Sequence, residues 1–193
     1  MSDGGFDFEL EPYKDGPEHG VRGTVGSFGR VQIFHTVGKW KSGDVFRASL
    51  TGERLPATSL TSRGIGGEPS VTNAASLDVG GVTADLRYNM LGISRAQRAL
   101  RIRLADRVYR LTKTAAPGGS ELRREGVRVT LANGRRAGGP GSLRMRNGAV
   151  RGRADATDLA VALIFEATSV SSLSVGSALV SAPFKAVFMT PGE

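Results

Sequence analysis

Residues Leu159-Ala160-Val161-Ala162-Leu163-Ile164-Phe165 are seven consecutive apolar positions, closed by Glu166 and preceded by two good helix caps, Asp155 and Thr157. A helix with no polar face cannot rest on a surface and must be enclosed. The rest of the chain with a legible pattern repeats with a period near two, which is the period of strands. A chain of strands encloses one helix most economically by wrapping a sheet around it or packing sheets on two sides. The expected fold is therefore mainly β: an antiparallel meander closed into a barrel or sandwich around one hydrophobic C-terminal helix, at about residues 157–168.

The strands can be placed from alternation and turn residues. Val31, Ile33 and His35 share one face, with Gln32 and Phe34 on the other. Gly43-Asp44 turns the chain into Val45–Leu50, which Gly52-Glu53 ends, and the Gly-rich stretch from Ser62 to Pro69 reads as a loop. Ser76 to Tyr88 reads as a hairpin about Gly80-Gly81, and Ile93 to Ala99 as a brief helical turn. The clearest meander runs from Leu100 to Arg153. Its turns are expected at Ala105-Asp106, at Pro117-Gly118-Gly119-Ser120 and at two Asn-Gly pairs, Asn133-Gly134 and Asn147-Gly148. Leu179 to Met189 reads as a closing strand or two.

Residues 1–20 hold six acids and a single base, Lys14, and Gly16-Pro17 interrupts any pattern. They read as an acidic mobile arm, with residues 21–193 forming one β-rich domain. Acids stand where a secretory leader needs a basic region and an apolar core, so the expected location is cytoplasmic, with peripheral membrane contact. The uncharged run from Ala167 to Phe184 is half Ser, Thr, Gly or Pro and too polar for a membrane span.

The formal charge of +8 over 193 residues is unevenly spread. Residues 87–153 carry 17 bases and 3 acids, a net +14, while the segments before and after are each at −3. Arg101, Arg103, Arg128, Arg144, Arg146, Arg151 and Arg153 alternate with apolar positions and are expected together on the outer sheet face. Clustered guanidinium groups hold phosphate or carboxylate oxygens bidentately, so these seven are the candidate anion-binding residues. An acidic phospholipid surface is the favoured partner. An acidic protein surface is the alternative, and so is nucleic acid, although only Tyr88 and Tyr109 within residues 87–153 could stack on bases. The acidic arm could also lie across the basic face.

Catalytic patterns are sparse. The chain has no Cys, and its two His, His19 and His35, have no metal-ligand spacing, so neither metal nor cofactor is expected. Gly26-Ser27-Phe28-Gly29 is not a nucleophile elbow. Gly64-Ile65-Gly66-Gly67 lacks the strand before it and the helix after it that a dinucleotide loop needs. These absences point to binding rather than catalysis.

The hairpin Arg101-Ile102-Arg103-Leu104-Ala105-Asp106-Arg107-Val108-Tyr109-Arg110, followed by the apolar segment Asp158 to Glu166, resembles the tubby-like barrel superfamily, which includes the tubby C-terminal domain, phospholipid scramblases and LURP-one-related proteins. The resemblance covers roughly residues 20–190 as an order of elements. It implies a closed twelve-stranded barrel around a hydrophobic helix and, from tubby itself, a basic surface for phosphoinositide headgroups.

Overall fold

The computed structural model describes residues 4–36, 45–65, 68–69, 75–89, 99–136 and 144–167. Among these residues thirteen strands precede one α-helix: β1 Phe6–Asp15, β2 Glu18–Thr24, β3 Arg30–Thr36, β4 Val45–Gly52, β5 Thr58–Ile65, β6 Glu68–Pro69 and β7 Ser76–Val79. The series continues with β8 Val82–Tyr88, β9 Leu100–Leu104, β10 Arg107–Lys113, β11 Ser120–Arg124, β12 Val127–Arg136 and β13 Arg144–Gly152. The helix α1, Ala156–Ile164, runs on as a 3-10 turn over Phe165–Ala167.

All the pairings are antiparallel, and β6 is only a two-residue extension on β5. The other twelve strands follow one another in chain order from β1 round to β13, where β13 pairs with β1, and β4 pairs with β5 within the same ring. The sheet thus closes into a twelve-stranded barrel with no free edge to be covered. Residues Leu159 to Phe165 are at most 1% exposed, and α1 packs against β4, β5, β7 and β12. The enclosed helix and the mainly β barrel are as the apolar run requires.

Three readings of the chain are corrected. Residues 1–20 are not an arm from Phe6 onward: Phe6, Phe8 and Leu10 turn inward, Asp7, Glu9 and Glu11 turn outward, and β1 lies between β13 and β2. The many acids masked a strict alternation. Ser62 to Pro69 is not a loop throughout, because β5 extends to Ile65 and pairs back on β6.

Neither Asn-Gly pair turns the chain. Asn133-Gly134 lies inside β12 and Asn147-Gly148 inside β13. Gly148 is needed for space rather than for a turn, since a Cβ there would collide with the Phe8 ring on β1. By contrast, Gly80 and Gly81 do turn the hairpin between β7 and β8, with φ of 60° and 83°. Ala105 opens the turn between β9 and β10 at φ 49°. The expected turn at Gly43-Asp44, most of the helical turn at Ile93 to Ala99 and the closing strand at Leu179 to Met189 lie outside the described residues.

Candidate functional site

Outward positions of β8 to β13 form a register row of arginines. Arg87 pairs across strands with Arg101, Arg101 with Arg110, Arg110 with Arg123, Arg123 with Arg128, and Arg128 with Arg151. All six are exposed. At about 4.8 Å between neighbouring strands the row is about 24 Å long. Arg103 stands beside it, opposite Val108 on β10 and Asp85 on β8. Like charges directly opposite each other across a sheet destabilise it, and here five such pairs occur in succession.

Acids pair with four of the six arginines and leave Arg101 and Arg110 open. Asp85 holds Arg87 at 2.8 Å, and Asp7 of β1 holds Arg151 at 2.8 Å. Glu121 pairs with Arg123 and lies 3.6 Å from Arg128. Arg101, Arg103 and Arg110 have no ion pair among the described residues. Between them stands Val108, an apolar side chain 53% exposed. Since the outward acids of β1 adjoin β13, the surface changes sign at that seam, and Asp7 reaches across it to Arg151.

Of the seven expected residues, the barrel places Arg101, Arg103, Arg128 and Arg151 on the outer face. Arg153 is exposed just beyond the end of β13. Arg144 and Arg146 are not on that face. A turn at Asn147-Gly148 would have reset the alternation, but β13 runs straight through, so Arg144, Arg146 and Gly148 share the parity of buried Val150, with Arg144 exposed where the strand begins. Arg87, Arg110 and Arg123 complete the row. Arg110 and Arg123 were legible, because they alternate with Leu111 and Leu122.

The inward arginines hold the helix. At its N-terminal end Asp158 is 0% exposed, and its carboxylate accepts two 2.6 Å bonds from Arg124, one of 3.0 Å from the Tyr109 hydroxyl and one of 2.9 Å from the Asp155 amide. Arg107 reaches the same carboxylate at 3.3 Å and Asp155 at 2.7 Å. Asp155 accepts in turn from the Asp158 amide, completing a capping box. Burial pushes the Tyr109 hydroxyl up to about 12. Burial works to raise Asp155 too, but the Arg107 hydrogen bond and the helix amides outweigh it and hold the carboxyl below its ordinary range.

At the C-terminal end Glu166, its side chain 4% exposed, pairs with Arg146, which also donates to Asn133 and, at 2.9 Å, to the Gly118 carbonyl. Burial raises the Glu166 carboxyl despite the guanidinium beside it. These clusters are saturated ion pairs, and their chemistry is anchoring. A sequence signal for them exists in the alternation alone, since Arg107 shares its parity with Tyr109 and Leu111, and Arg124 with Leu122.

Among the described residues no group of three His, Asp or Glu is placed to hold a metal, and no helix is long and apolar enough to cross a membrane. No family model, no curated protein and no solved structure matches this chain.

Proposed function

We propose that this chain is a non-enzymatic binding or scaffold barrel whose outer arginine face meets an anionic partner, an acidic phospholipid surface in the first place. The observation that carries the reading is the row from Arg87 to Arg151, in which five successive like-charge pairs oppose barrel stability and neither member of the Arg101–Arg110 pair has an ion pair among the described residues. An external anion relieves that repulsion. Barrel strands tilt by about 35–45° to the axis, so a row at constant register climbs as it goes round and turns through about a quarter of the circumference. Long arginine side chains over so short an arc can meet one plane. Val108 among them suits the boundary between headgroups and acyl chains. No aromatic residue occupies a described outward position of β8 to β13, which disfavours single-stranded nucleic acid. The twelve strands around one apolar helix support membership of the tubby-like superfamily.

The test is co-sedimentation with vesicles of phosphatidylcholine and phosphatidylserine at low salt. Each basic residue near an anionic surface contributes about 1 kcal/mol, so Arg101→Gln, Arg103→Gln and Arg110→Gln together should weaken binding by about 100-fold. Circular dichroism should show an unchanged fold. Equal partition of variant and parent refutes the reading.

A second reading, docking of an acidic protein surface, draws on the carboxylates of Asp85, Glu121 and Asp7 already seated along the row. It predicts capture by an acidic polypeptide such as polyglutamate, sensitive to the same three substitutions, with no binding to vesicles.

A further inference from the structure

Where the 3-10 turn ends at Ala167, the inward faces of β1, β2, β3, β12 and β13 leave a cavity of about 340 Å3 at the barrel mouth. That is the small end of the range of about 300–1,000 Å3 in which organic ligands are held. Val21 and Ile33 form its apolar floor, and His19, His35, Asn133 and Arg144 converge on it. His19 and His35 are direct cross-strand partners on the inward side of β2 and β3.

The polar accounting of this cavity does not close. Nδ1 of His35 is buried and has no hydrogen-bond partner among the described residues. A buried polar atom in that condition costs free energy until something pairs with it. Arg144 makes only a 3.5 Å contact to the Gly134 carbonyl and no ion pair among the described residues. Arg144 is exposed, so its guanidinium stands at the rim of the cavity within reach of an anion entering from solvent. The acid in the wall, Glu166, is already engaged by Arg146. Burial and the neighbouring His19 lower His35, so at neutral pH the ring is uncharged and offers one N–H. Among the described residues the cavity therefore combines an apolar floor, a guanidinium with no ion pair and an imidazole whose Nδ1 has no hydrogen-bond partner.

We propose that the barrel mouth is a binding site for a small organic carboxylate with an apolar body, its carboxylate placed between Arg144 and His35 and its hydrocarbon on Val21 and Ile33. A carboxylate accepts from both donors at once, and its apolar body displaces water from the floor. The site faces inward and is independent of the outer arginine row.

The test is NMR titration of the full chain with octanoate, and with octylamine as a cation of equal apolar body. Octanoate should shift the resonances of His19, His35, Val21 and Ile33 saturably, and raise the His35 titration midpoint because a bound anion favours imidazolium. Octylamine should not. Arg144→Gln should weaken octanoate binding about tenfold or more, the loss of one charge-assisted hydrogen bond. His35→Phe, which occupies the space, should abolish it with the circular dichroism spectrum unchanged. The outer-face variant with Arg101, Arg103 and Arg110 all replaced by Gln should bind octanoate as the parent does, which separates this site from the vesicle reading. Absence of saturable shifts, octylamine binding as tight as octanoate, or undiminished binding by Arg144→Gln would each overturn the assignment.

Discussion

Replacing Asp158 by Ala should cost the protein about 4 kcal/mol, because it breaks a buried charge network rather than one bond. Asp158 is fully buried, and its two oxygens serve Arg124, Tyr109 and the Asp155 amide, with Arg107 at the edge. Removing one partner of a buried ion pair costs about 3–5 kcal/mol, since the remaining charge stays buried without compensation. The side chains of Arg124 and Arg107 are 24% and 32% exposed, so both can turn partly to water, which lowers the cost. Tyr109 is 0% exposed and cannot, and an unsatisfied buried hydroxyl adds about 1–3 kcal/mol. These contributions overlap, leaving a loss that is a large share of the roughly 5–15 kcal/mol by which domains are stable. The assay is urea unfolding at pH 7 followed by far-ultraviolet circular dichroism. A paired control combines Asp158→Leu with Arg124→Met: removing both charges should leave the protein more stable than Asp158→Leu alone. A loss below about 1 kcal/mol for Asp158→Ala, or a double variant no better than the single, refutes the network as the anchor of the helix.

Two further outcomes follow from other parts of the barrel. Gly148→Val should destabilise by about 1–3 kcal/mol or more through overpacking against Phe8, seen as a lowered urea midpoint, whereas Gly at a hairpin turn would tolerate the change differently. Asp155→Asn keeps the cap but removes the charge. Because the folded-state value of Asp155 lies below the unfolded value of about 3.9, its charge stabilises above that pH, and the contribution is lost as pH falls through the folded value. The stability gap between parent and Asp155→Asn should therefore be present at pH 6 and shrink by pH 3; a constant or growing gap refutes the assignment.

Alternation was legible wherever a strand could be read without interruption. Ile102 and Leu104, Val127 to Leu131, and Arg101, Arg103 and Arg128 stand on the faces their parity assigns. The misplaced arginines trace to one local signal. Asn-Gly is a strong hairpin dipeptide, but at Asn147-Gly148 the glycine answers the need of Phe8, a residue 140 positions away in sequence, for space. Apolar Leu143 and Met145 set Arg144 and Arg146 outward by alternation, and a turn at Asn147-Gly148 let that parity stand beside the opposite one of Val150. The acidic arm failed for a related reason, since composition spoke for disorder while Phe6, Phe8 and Leu10 kept the period of a strand.

The amino-acid order alone determined that one helix must be enclosed and that strands must enclose it, because burial of an all-apolar helix and the two-residue repeat of a strand are local properties of the chain. It also determined that the positive charge belongs to one stretch. Only the tertiary structure decided that β1 closes the ring against β13, that six arginines fall into one register row, and that four others turn inward: Arg107 and Arg124 to Asp158, Arg146 to Glu166 and Arg144 to the barrel mouth. Register and closure depend on contacts between residues far apart in the chain, and a shift of one position sends a side chain from solvent to the interior.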